Sequence, residues 1–135
     1  HSKEEIEALD LIVTHDDEIV DGLMNALDAY SGEAAINVKL ITSVGGREET
    51  LQKFENTQLG VKFWTSFFSP SFIRQAFELG LADLTGQPFE AEQDENGTYL
   101  IPSFSITNAD QAGDEDFESY RATEDYEERY AISLE

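Results

Sequence analysis

Twenty-nine aspartates and glutamates stand against eight lysines and arginines in this 135-residue chain, a formal net charge of −21. Ionised side chains stay at the water boundary unless they are paired, and repulsion on this scale opposes any compact state. The chain can fold only by drawing its core from the stretches the acids leave free. The acids are not spread evenly. Residues 1–32 carry nine acids and one base, residues 33–84 six acids and five bases, and residues 85–135 fourteen acids and two bases. Two acidic flanks bracket a nearly neutral, apolar centre, which points to a directional field as well as to solubility. Thermal unfolding should move upward from very low to moderate ionic strength, because salt shortens the repulsion to about 10 Å at 0.1 M. A flat or falling response in a salt series of melts would show that paired charges outweigh net repulsion.

The charge also bounds the partners. Nucleic-acid affinity rests largely on basic residues neutralising phosphates, so direct binding to nucleic acid or to an anionic membrane is not expected. Basic proteins and cations are the fitting partners. The chain contains no cysteine, which rules out a disulfide framework, a thiolate metal site and a cysteine nucleophile. No apolar run approaches the about 20 residues of a membrane helix, and a cytoplasmic, reducing setting is the expectation. His1 reads as an expression remnant. Residues 1–135 fit a single domain, since domains peak at about 100–150 residues.

Local patterns predict the elements. Ser2 and Glu5 have capping-box spacing, and Ile6, Leu9 and Val13 recur at helical intervals. Two helices are expected at about 3–13 and 16–31, or one long helix broken near His15, the second part on the stripe Ile19, Val20, Leu23, Met24, Leu27 and Tyr30, with Gly32 as its stop. Asp17, Asp21 and Asp28 fall on the opposite face and should be exposed. Residues 34–44 alternate as a half-buried strand, Gly45-Gly46 marks a turn, and Arg47 to Asn56 reads as a helix. Residues 61–68 fit either a strand or a helix. Ser69-Pro70 begins a helix that Gly80 closes, and Asn96-Gly97 signals a hairpin between Phe89–Gln93 and Thr98–Thr107, with Pro102 placing the second strand at an edge or a bulge. Asn108 to Asp116 reads as a mobile loop, and Tyr130 to Leu134 as a final strand. The expected fold class is α+β, with N-terminal helices packed on a small, mostly antiparallel sheet.

No constellation of catalytic residues emerges. His15 beside Asp16 and Asp17 has no recognisable nucleophile to serve. Asn108, Asp110 and Gly113 fail a calcium loop at two ligand positions, where Ala112 and Ser119 stand. Gly45-Gly46 lacks a phosphate-loop context. No cofactor, metal or catalytic residue is therefore assigned. Two binding features remain. Asp114, Glu115, Asp116 and Glu118 are interleaved with Tyr120 and Tyr126, a pairing of carboxylates and aromatics suited to Lys and Arg on a basic protein. The aromatic centre is mainly core, but Trp64 and Phe68 would share a face and line a pocket if 61–68 is helical. The leading expectation is a non-enzymatic acidic interaction protein, such as an inhibitor, an immunity protein or a nucleic-acid mimic. The alternative is a small-molecule binding protein with an aromatic-lined pocket, and a carboxylate hydrolase ranks last.

Overall fold

The structure, a computed structural model, describes residues 2–70, 72–89, 92–100, 103–109 and 113–122. Their order is α1 (Lys3–Glu7), β1 (Leu11–Val13), α2 (Asp17–Asp28), β2 (Leu40–Gly45), α3 (Glu48–Asn56), β3 (Lys62–Phe67), α4 (Phe72–Thr85), β4 (Ser105–Thr107), β5 (Glu115–Asp116) and α5 (Phe117–Arg121). The α+β class holds. The sheet does not follow the antiparallel expectation: strands lie in the order β1-β2-β3-β4-β5, and only β3–β4 is antiparallel among the four described pairings. The reason is connectivity. The helical stretches α2 and α3 separate β1, β2 and β3, and such crossovers return the chain to a parallel neighbour.

Because β1, β2 and β3 are added in sequence without reversal, crossovers of one hand leave both helices on one face. Val20 and Met24 of α2, Leu51 and Phe54 of α3, and Phe117 and Tyr120 of α5 bury against Ile41, Phe63, Phe67 and Ile106 of the strands. Phe54 stacks on Phe63 at 4.3 Å, and Phe67 on Phe104 at 4.7 Å. Full burial of such a side chain stabilises by about 1.5–3 kcal/mol. Arg121 adds a polar tie from α5 to α3, donating to Glu48 at 2.8 Å and Glu55 at 2.6 Å. The opposite face is less covered by the described residues. Leu11, Val13 and Val44 are exposed on it, and Leu40 and Trp64 are half-buried.

Several local expectations change. The capping box at Ser2 forms, with Glu5 N donating to Ser2 Oγ at 3.2 Å and Ser2 N to Glu5 Oε2 at 2.7 Å. The helix it starts ends at Glu7, because Leu11–Val13 pairs with Leu40–Thr42 instead. Helix α2 stops at Asp28, short of Gly32. Of its acidic face only Asp28 is exposed: Asp17 is buried, and Asp21 accepts from Thr50 Oγ1 at 3.0 Å and meets Lys53 Nζ at 3.3 Å. Pairing of β2 begins at Leu40 and not at residue 34. Residues 62–67 are a strand, held between β2 and β4.

Helix α4 runs through Gly80 to Thr85. It ends where Gly86, at φ +66°, lets Gly86 N reach Asp83 O at 3.3 Å and Gln87 N reach Ala82 O at 2.9 Å. The Asn-Gly turn forms, with Gly97 at φ +79° and Asp94 N donating to Thr98 O at 2.9 Å, though its flanks join in an isolated bridge, Gln93 to Tyr99. The expected loop 108–116 contains β5. Pro102, Asp110, Ala112 and residues 130–134 lie outside the described residues. No helix among the described residues is long and apolar enough to cross a membrane.

Candidate functional site

The carboxyl ends of parallel strands are where open sheets with helical crossovers place their sites, because the loops diverge there. Here three described stretches meet: Thr14–Asp16 after β1, Gly46–Arg47 after β2 and Phe68–Pro70 after β3. Asp16 caps α2, accepting from Glu18 N at 2.8 Å. Its interaction with Glu18 holds the Asp16 carboxyl below its ordinary value.

Asp17, next in sequence, turns inward. Its Oδ2 accepts from Gly46 N at 2.7 Å and from Arg47 N at 2.9 Å. A Cβ at Gly45 would overlap this carboxylate, and Gly45 and Gly46 sit at φ +153° and +98°, so the glycine pair serves a close approach as well as a turn. Burial pushes the Asp17 carboxyl up, and the backbone hydrogen bonds pull against it. The same loop is fixed from two other sides. Tyr120 Oη donates to Gly46 O at 3.1 Å, and Phe68 N donates to Gly45 O at 2.9 Å.

This arrangement has a chemical consequence. The amides of a glycine turn leading into a helix would ordinarily suit an anion. In this protein Asp17 already occupies Gly46 N and Arg47 N, so the turn is not a phosphate cradle.

Above this fixed floor lie two adjoining cavities. One, of about 470 Å³, is apolar, with Val44, Phe67, Phe68, Phe72 and Ile73 prominent in its wall. The other, of about 410 Å³, is bordered by His15, Asp16, Asp17, Glu18 and Arg47. Val44, Phe68 and Pro70 belong to both. The result is one groove with an apolar half and a mainly acidic half. Arg47 leans on Glu18 at 2.9 Å and Glu49 at 3.7 Å, which leaves Asp16 and the exposed His15 at the groove's outer lip.

The residues singled out from the sequence separate. Phe68 is 59% exposed and central to the groove, whereas Trp64 lies outside its described lining. Asp114 is structural: its Oδ2 accepts from Ser105 N at 2.8 Å and Ser105 Oγ at 3.1 Å. Asp116 caps α5 by accepting from Ser119 N at 2.7 Å, which holds its carboxyl low. Glu115 is half-buried and Glu118 is exposed. Tyr120 is 0% exposed and cannot meet a partner; its ring completes the core on the α5 side. Tyr126 lies outside the described residues. The acidic segment 114–118 is therefore partly committed to the fold, and the groove lies elsewhere.

Sequence reasoning missed Asp17, one acid among many, and the groove. The Gly45-Gly46 pair was the available signal, since adjacent glycines also mark close approach of a neighbouring group. Among the described residues no group of His, Cys, Asp and Glu is arranged to hold a metal ion. Compared with known proteins, the chain matches no family model, no curated protein and no solved structure.

Proposed function

We propose that this protein is a non-enzymatic binding protein that docks a basic partner protein through the groove at the ends of β1, β2 and β3. The observation that carries this reading is the sharing of Val44, Phe68 and Pro70 between an apolar and an acidic cavity. An arginine or lysine has that same division, an apolar stem and a cationic head. Laid along the groove, the stem would rest on Phe68 and Val44 and the head would meet Asp16 at the lip, since Glu18 is already paired with Arg47. The anchored loop needs no ordering on binding, which limits the entropic cost. The excess of acids elsewhere would steer encounter more than it would fix affinity. Inhibition of a basic enzyme, immunity against a basic toxin and mimicry of a nucleic acid are all roles of this kind.

One observation favours a second reading. The apolar half, at about 470 Å³, falls within the roughly 300–1,000 Å³ of small-molecule sites. A compact apolar or cationic ligand would fit there.

Capture from source lysate separates the two. The wild-type protein is expected to retain a basic protein at low salt and to release it at moderate salt. Phe68→Ala should lose that capture with its fold intact, since Phe68 is largely exposed. Glu118→Gln, on the far segment, should keep it. Capture that is indifferent to Phe68 would remove the groove from the account, and retention of a small apolar molecule alone would favour the second reading.

A further inference from the structure

Helix α4 has 14 residues, and none of those described is buried. It is nevertheless apolar along one side: Ile73 is 69% exposed, Phe77 69%, Leu81 51% and Leu84 85%. Phe72 ties its start to the sheet, edge-on to Phe67 and Phe68 at 5.6 Å each. Among the described residues, none buries the rest of the apolar side.

The spacing of that side fits a second copy of the same helix. Ile73, Phe77, Gly80 and Leu84 follow one another at intervals of four, three and four, which is the seam of a two-helix coiled coil. Set two copies antiparallel, with the two-fold axis level with the midpoint between Glu78 and Leu79. Phe77 of each then lies opposite Gly80 of the other, and Ile73 opposite Leu84. The largest side chain of the seam meets the position with none. A Cβ at Gly80 would have nothing within 4 Å, so the notch is open. Beside it lies a cavity of about 380 Å³ walled by Ala76, Leu79, Gly80, Phe89 and Tyr99, the last two rings edge-on at 5.8 Å. An aromatic knob entering over Gly80 would find Leu79, Phe89 and Tyr99 on one side and the polar Asp83 and Gln87 on the other.

A surface complementary to itself under a two-fold is the signature of an isologous contact. Charge points the same way. The helix lies in the nearly neutral central stretch of the sequence, the part of a −21 chain least opposed to meeting a second copy.

We propose that α4 is a self-association surface, through which two copies pair antiparallel with Phe77 of each seated over Gly80 of the other. A 14-residue helix is about 21 Å long, so the contact belongs at the small end of interface sizes and the dimer is weak and reversible. It does not rest on the groove reading, because Phe77, Gly80 and Leu84 are not groove-lining residues. Ile73 and Ala76 border both surfaces, so an occupied groove and a paired helix will influence one another.

Sedimentation equilibrium over a concentration series, at low and high salt, tests this with the purified full chain. The wild type is expected to pass from monomer to dimer and to pair more tightly in high salt, since screening relieves repulsion between two acidic chains. Docking of a basic partner would show the reverse salt dependence. Phe77→Glu should weaken pairing by about a hundredfold or more, because the two-fold counts the loss of an aromatic anchor twice. Gly80→Leu is the sharper variant. It should hold or raise the thermal midpoint by improving the helix, yet weaken pairing by filling the notch. A wild type that stays monomeric throughout, or a Gly80→Leu variant that pairs as tightly as the wild type, would overturn the proposal. The second result would reveal general stickiness of an apolar helix rather than a fitted seam.

Discussion

Replacing Asp17 with alanine is expected to lower unfolding free energy by about 3 kcal/mol, with asparagine costing about 1 kcal/mol. Alanine leaves Gly46 N and Arg47 N without the acceptor they share in the interior, and each buried donor so stranded costs about 1–3 kcal/mol. Part of that is returned, because the carboxylate's own desolvation disappears. Asparagine keeps an oxygen for the two amides, but it sets an NH2 donor where Oδ1 accepts from Thr65 Oγ1 at 3.5 Å. Urea unfolding of the two variants beside the wild type measures the order, and an alanine variant as stable as the wild type would show that the loop needs no anchor.

The pH dependence follows from the direction of the shift. Burial raises the folded-state pKa of Asp17 above its unfolded value, so the folded state gains on the unfolded one as pH falls through the folded pKa. That gain levels off below the ordinary value of about 4. Asp16, Asp94 and Asp116 are held low by hydrogen bonds and contribute with the opposite sign, losing stability as pH falls through their folded values. Comparison with Asp17→Asn isolates the one group, since the other acids remain in both. From pH 7 to about pH 4 the wild type should gain on the asparagine variant.

Tyr120→Ala should be the more damaging change, at about 3–5 kcal/mol, a large share of the roughly 5–15 kcal/mol by which domains are stable. Its ring is fully buried, 5.9 Å from Phe67 and 6.1 Å from Phe104, and its hydroxyl holds Gly46 O. Tyr120→Phe keeps the ring and loses the hydroxyl, so about 1 kcal/mol is expected. Thermal or urea unfolding of both variants reads the difference. A Tyr120→Ala variant with native stability would mean that α5 is not part of the core. The result also bears on binding: any loss of partner capture in Tyr120→Ala would come from a loosened Gly46 loop, not from a missing contact.

What the sequence made legible was local. The Ser2–Glu5 capping box, the buried part of the α2 stripe, helix α3 and the two glycine-marked turns depend on neighbours a few residues apart, and those patterns survive folding. Leu11–Val13 was misread because three residues of β-branched and aliphatic character fit either period, and only the distant strand Leu40–Thr42 decides. The parallel order was hidden for the same reason. The site was harder still. Asp17 is indistinguishable by type from its acidic neighbours, and its role appears only when Gly45 and Gly46 arrive beside it from 28 and 29 positions away. The charged segment 114–118 drew attention by composition. Its acids at 114 and 116 satisfy backbone amides instead, a use that composition cannot distinguish from a free acidic surface.

Mapping where a basic ligand touches the chain locates its binding surface. The ligand is a short peptide carrying arginine beside an apolar residue, titrated into isotope-labelled protein while backbone amide shifts are followed. Saturable shifts are expected at His15 to Glu18, Val44 to Arg47, Phe68, Ser69 and Phe72, lost in Phe68→Ala. Shifts confined to Asp114 to Glu118, or scattered over every acidic segment and unchanged by Phe68→Ala, would contradict docking in the groove.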